Sequence, residues 1–236
     1  MDMKAVFAHY SHWLDNAIDA DDFLKYYFQV PFVRDLDDFN DEDVKIACGA
    51  FRGCLISESC DYVVKFPICP DGLDCCEREE NIYSHALSEG LQDYFTEPIY
   101  LGVYEKVIDF YRADDIDDYY DEYEQNFYET LEEHEMDLIT EQIVISIPLF
   151  AYPKAQVFSS YHWRRKSTKE SEEKVRSSCS PFKDNFVTAC AIYSEYGKEI
   201  YDKLSSFAYE EGIDDIHTHN IGYLNNHLVI IDYAGA

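Results

Sequence analysis

The chain has 236 residues, 47% hydrophobic and 16% aromatic, enough to bury a sizeable core in one domain or in two lobes. Its 48 acids against 19 bases leave a net charge of −29, which repels phosphate backbones and argues against direct nucleic-acid binding. Solubility, attraction of basic proteins, and imitation of DNA toward a DNA-binding protein remain as uses for that charge.

Residues 1–43 read as a helical, acidic extension: Phe7, Tyr10, Trp13, Leu14 and Ile18 recur at helical spacing, and Asp21 and Asp22 are placed to open a second helix. At residue 44 the pattern changes. Residues 44–56 have two β-prone ends joined by a segment that holds Gly49 and Gly53, and residues 57–61 supply a turn. Residues 62–66 form a β-branched strand carrying Lys65. A loop over 67–74 leads to a helix over 75–92, with Ile82, Ala86 and Leu87 on one face and Gly90 near its end. Residues 99–111 read as strand.

Residues 114–137 hold a dozen acids, and no Lys or Arg occurs between Arg112 and Lys154. The aromatics within this stretch predict an acidic, partly buried helix. Residues 143–149 predict a buried strand ended by Pro148. Residues 159–180 are rich in Ser, Lys, Arg and Glu and read as a loop or the polar face of a helix. Ser167, Thr168, Ser171, Ser177 and Ser178 make this segment a solvated linker, an autophosphorylation site or a contact for the acidic helix. A long amphipathic helix over 182–209 is stopped by Gly212, and two short strands around Asn225-Asn226 follow. The fold class is α+β, with no internal repeat.

The eight cysteines form no C-x-x-C pair and are expected as reduced thiols in a cytosolic protein, neither a disulfide framework nor a zinc site. The first residues lack the layout of a signal peptide, and the longest apolar run, 143–152, is too short to cross a bilayer.

The chemistry concentrates near residue 215. Asp215 is followed five residues later by Asn220, and Asp232 ends an apolar strand twelve residues beyond that. Phosphoryl transfer needs these groups: one carboxylate to take the proton of the attacking hydroxyl, and an amide and a second carboxylate to hold Mg²⁺. A hairpin between Asn220 and Asp232 would return both ligands to one cleft. His217 and His219 form an H-x-H, which on a strand can begin a metal-hydrolase site. That rival needs further ligands downstream, so His217 is expected to brace the loop and His219 to be exposed.

D-x-H-x-x-N followed by I-D-Y resembles the catalytic loop and metal-binding strand of kinase-like phosphotransferases. Upstream, Gly49, Phe51 and Gly53 stand where such a fold carries its phosphate-covering loop, and Lys65 stands where the strand lysine contacts phosphates. Glu77, Glu79 and Glu80 lie on the helix that should supply the lysine's partner, with Glu79 favoured. The order of the parts, the short glycine loop and the end of the given sequence just after I-D-Y are similar to the small early Ser/Thr protein kinases of tailed bacterial viruses, a resemblance that covers roughly residues 44–233.

The resemblance implies a two-lobed protein-kinase-like fold with a truncated C-terminal lobe behind the helical extension 1–43. Residues 44–147, with an acidic insertion at 114–137, would be the first lobe, and 148–236 a minimal second lobe. It implies ATP and Mg²⁺ as cofactors, Asp215 as base, Asn220 and Asp232 as metal ligands, and host proteins as substrates in a bacterial cytoplasm. Three features depart from the family pattern. The glycine loop is incomplete, Ile213-Asp214 replaces the usual His-Arg, and the given sequence ends soon after Asp232, so substrate recognition is expected from elsewhere, such as the acidic helix. The alternative is a catalytically weak, kinase-shaped acidic protein that binds and inhibits a basic or DNA-binding host protein.

Overall fold

A computed structural model describes residues 2–17, 44–49, 51–67, 70–112, 139–178, 180, 182 and 185–234. The predicted second helix of the extension and the acidic helix at 114–137 lie outside these residues.

Helix α1 (Met3–Ala17) buries Val6, Tyr10, Trp13 and Leu14, a stripe at helical spacing. Full burial of side chains such as Val6 and Leu14 contributes about 2 kcal/mol apiece. Strands β1 (Val44–Cys48), β2 (Arg52–Ser57) and β3 (Tyr62–Pro67) form a meander where the sequence predicts it. Strands β4 (Ile99–Arg112) and β5 (Ile139–Pro153) complete a five-stranded antiparallel sheet in the order β1-β2-β3-β5-β4.

Two expectations about β5 are corrected. Pro148 does not end the strand, which continues to Pro153, so a boundary between 147 and 148 divides a strand. Pro148 pairs with Val103 of β4 but lies outside the stretch paired with β3, which runs from Lys65↔Phe150 to Tyr62↔Pro153, so on the β3 side it meets no ladder. The strand is also not buried throughout: Ile147 and Leu149 are, while Val144 and Ser146 face out.

Helix α2 (Pro70–Ser88) begins five residues before the predicted start at residue 75. Proline is preorganised for a first helical position, where its missing N–H costs no bond. Its inward stripe is Cys76, Glu79, Ile82 and Ala86; Leu87, expected on that face, is exposed. The helix closes at Gly90, whose φ of 70° permits paired bonds from Gly90 N to Leu87 O (3.3 Å) and Leu91 N to Ala86 O (2.7 Å).

The sheet lies between these two helices. One face, with Leu55, Val64, Leu149 and Ala151, packs in a core with α1. The other, with Phe150 and Tyr152, packs on Cys76 of α2.

A second core is built from helices α3 (Ser160–Lys166), α4 (Lys169–Ser177) and α5 (Phe186–Glu210). Strands β6 (Gln156–Val157), β7 (Ile221–Leu224) and β8 (His227–Ile230) form a three-stranded antiparallel sheet beside them. The segment expected as loop or polar helix face is therefore two helices that bury Trp163 and Val175. Thr168 and Ser171 cap α4 reciprocally. Helix α5 is broken at Gly197, where φ is 76° and ψ −178°, so the single helix expected over 182–209 is two helical segments. Gly212 stops it as predicted, through Ile213 N to Ala208 O (2.8 Å). Asn225 and Asn226 take φ of 50° and 65° and turn β7 into β8.

Among the described residues, Cys54, Cys60, Cys75, Cys76 and Cys190 make no disulfide, and no helix is long and apolar enough to cross a membrane.

Candidate functional site

The two cores meet where the end of β8 runs under α2. Thr96 N donates to Ile230 O (3.0 Å), and the Tyr233 hydroxyl donates to Thr96 O (2.8 Å), fixing the residues on either side of Asp232.

Lys65 points from β3 to the face that meets α2. Its Nζ lies 3.2 and 3.3 Å from the two carboxylate oxygens of Glu79, 3.0 Å from the carbonyl oxygen of Ile231 and 3.8 Å from Asp232. It also sits 4.4 Å from the ring centroid of Tyr152, a cation–π distance. Glu79 thus resolves the choice among three glutamates. Helical spacing places it in the stripe with Cys76 and Ile82 and leaves Glu77 exposed and Glu80 half-buried.

Glu79 has no exposed surface, and every acceptor direction is used. Besides Lys65, it accepts from Arg52 Nη1 at 2.7 Å and Nη2 at 3.3 Å, from the Tyr152 hydroxyl at 2.6 Å, and from Tyr233 N at 3.1 Å. Burial pushes its pKa up, but the ammonium of Lys65 and the guanidinium of Arg52 outweigh this and hold it at about 2. The Tyr152 hydroxyl is pushed well above the ordinary tyrosine range by burial and by the adjacent Glu79 charge.

Arg52 is the member that sequence reasoning missed. Its Nη2 also bonds Asp232 Oδ1, so one guanidinium spans both carboxylates. The side chains of Arg52 and Lys65 are only 9% and 10% exposed, against 41% for Asp232. The usable signal is strand parity: Cys54 pairs with Lys65, so Arg52, two residues earlier, shares the lysine's face. That signal exists only once the register is known.

The predicted glycine loop is the turn between β1 and β2. Gly49 N donates to Arg52 O (2.9 Å), and a Cβ at Gly53 would overlap the Phe66 ring. Phe51 is half-buried, and its carbonyl oxygen lies so close to Gly72 of α2 that a Cβ at Gly72 would collide with it. The turn that carries Arg52 is seated on the first turn of α2.

Asp215 lies in the irregular segment after α5, with its side chain about half exposed (51%). Asn220 Nδ2 donates to Asp215 O (2.8 Å), and Asn220 O accepts from Ile231 N (2.9 Å), tying the loop to the residue before Asp232, which lies two residues beyond the end of β8 and does not itself end the strand as expected. His217 braces this loop as expected: its Nδ1 accepts from His219 N (3.2 Å) and its carbonyl from Asn220 N (2.9 Å), while His219 is exposed. The H-x-H lies in a turn and not on a strand, which removes the same-face geometry its metal-hydrolase reading required. Among the described residues, no group of three or more His, Cys, Asp or Glu side chains is gathered as a metal site.

Asn220 Oδ1 and the Asp232 carboxylate are hard oxygen donors, which suit Mg²⁺ in kind. Asp232 Oδ1, however, is engaged by Arg52.

No protein-family model, no curated protein and no solved structure matches this chain.

Proposed function

We propose that the chain is an ATP- and Mg²⁺-dependent Ser/Thr protein kinase, or a close kinase-like phosphotransferase, with the five-stranded sheet and α2 as one lobe and the helical core as the other. One observation carries this reading: in a buried Lys65–Glu79 ion pair, contributed by a strand and the next helix, Lys65 Nζ lies 3.8 Å from Asp232, just beyond the end of β8. Structural ion pairs on surfaces are exposed and weak; this one is desolvated and shared with a carboxylate from the far end of the chain.

In this reading Glu79 fixes the ammonium of Lys65, which is the cation offered to the nucleotide phosphates. Asp215, half exposed, accepts the proton as an acceptor hydroxyl oxygen bonds to the γ-phosphorus and the bond to the β,γ-bridging oxygen breaks, releasing ADP. Asn220 steadies the Asp215 backbone through Nδ2, which leaves Oδ1 to join Asp232 in holding Mg²⁺. When bound, Mg²⁺ neutralises the phosphate oxygens. The chain's −29 charge suits basic acceptor proteins, and the viral resemblance suggests host proteins in a bacterial cytoplasm.

Labelled ATP with a basic acceptor protein tests this. Transfer is expected from the wild type and lost in Asp215→Asn and Asp232→Asn; equal labelling by all three would refute the assignment.

The Arg52 contact favours a second reading, since a guanidinium on Asp232 occupies the carboxylate a metal would need. Here the protein is catalytically weak and acts by binding a basic or DNA-binding host protein. Inhibition of such a partner would survive Asp232→Asn and weaken steeply with salt.

A further inference from the structure

Lys65, Arg52, Glu79 and Asp232 form a cluster of two cations and two anions that is balanced without any bound ion. Arg52 is what balances it at Asp232. Its Nη1 is fully committed to Glu79 at 2.7 Å, while Nη2 is shared between Glu79 at 3.3 Å and Asp232. Removing the Asp232 contact therefore leaves Arg52 still paired, so the bond to Asp232 can open without stranding a buried charge. The base of the side chain is held in place, because the β1–β2 turn is closed by Gly49 N on Arg52 O and is seated against Gly72.

Asp232 is the opposite case. It keeps 41% of its side-chain surface exposed, and Lys65 at 3.8 Å is beyond hydrogen-bonding distance. The guanidinium stands beside the carboxylate that a divalent cation would neutralise, and arginine does not deprotonate, so raising the pH does not release it.

We propose that Arg52 is an intramolecular latch that closes Asp232 to divalent metal, and that metal enters only when Arg52 releases Asp232 and remains on Glu79. This rests on the kinase-like reading for its purpose but not for its test. In Arg52→Gln the cluster carries one net negative charge, and Asp232 is left as a partly exposed oxygen ligand.

The test is Mn²⁺ binding to the full chain, followed by the electron paramagnetic resonance signal of free Mn²⁺, with the thermal melt of each variant checked. Wild type, Arg52→Gln and the double variant Arg52→Gln with Asp232→Asn are compared, so that ions held by the acidic surface cancel. Arg52→Gln is expected to gain one Mn²⁺ per chain, about tenfold or more tighter than any such site in the wild type, and the double variant to lose it. No gain in Arg52→Gln overturns the latch. If Arg52→Gln does not fold, Arg52→Lys serves, since a single ammonium cannot span both carboxylates; binding no tighter than wild type then overturns it. If Arg52→Gln gains Mn²⁺ while neither it nor the wild type transfers phosphate from ATP, the latch stands and the kinase reading falls. Wild-type transfer with unchanged Mn²⁺ binding in Arg52→Gln does the reverse.

Discussion

Glu79→Gln removes the charge from a side chain with no exposed surface and leaves Lys65 and Arg52 with Asp232 as their only carboxylate partner in the cluster. Holding the carboxyl at about 2, against 4.5 for an ordinary glutamate, corresponds to about 3 kcal/mol of stability at neutral pH. The cost of breaking a buried pair points to the same range, about 3–5 kcal/mol, because an uncompensated buried cation remains. For a chain of this size that is a fall in Tm of roughly 6–20 °C.

The sign of the pH dependence follows from the lowered pKa. The stabilisation is fully present above 4.5, the value of the unfolded chain, and is lost as pH falls toward about 2. Urea denaturation of wild type and Glu79→Gln, at neutral pH and again below the unfolded value, measures both quantities. The gap between the proteins should be widest at neutral pH and narrow in acid. A gap under about 1 kcal/mol at neutral pH, or one that does not narrow, would show that Glu79 is not the electrostatic centre of the cluster.

Gly197→Ala places a side chain at φ 76° and ψ −178°, a region open essentially to glycine alone, with no heavy atom within 4 Å of the new methyl. A loss of about 1–3 kcal/mol is expected from backbone strain by itself, and chemical denaturation showing no loss would mean α5 can run straight. Gly72→Ala drives a Cβ into the Phe51 carbonyl, a backbone atom that cannot rotate away. It should cost about 2 kcal/mol and raise hydrogen exchange in β1 and β2, and an unchanged exchange pattern would mean the turn is not seated on α2.

How much of the site was readable depends on how far apart its parts lie. Lys65 and Glu79 are 14 residues apart on a strand and the following helix, and the helical stripe of Cys76, Ile82 and Ala86 already selects Glu79 from its neighbours. Arg52 sits beside Gly53 in a segment that reads as a turn-flanking strand, and nothing local says that its guanidinium turns inward. Its contact with Asp232 spans 180 residues, so no periodicity or spacing carries it. Tyr152 was hidden for a related reason. It shares the face of Lys65 only because β5 runs past Pro148 and pairs with β3, whereas proline in a strand normally argues for an end.

What the amino-acid sequence determines by itself here is local. The stripe of α1, the strands β1 to β3, the glycine stops at Gly90 and Gly212 and the asparagine turn at 225 and 226 follow from periodicity and backbone sterics within a few residues. Tertiary structure alone decides which charges meet. Burial in the cluster requires the sheet, α2 and the end of the last hairpin to converge, and only that convergence removes the water that would otherwise screen Lys65, Arg52, Glu79 and Asp232 from one another.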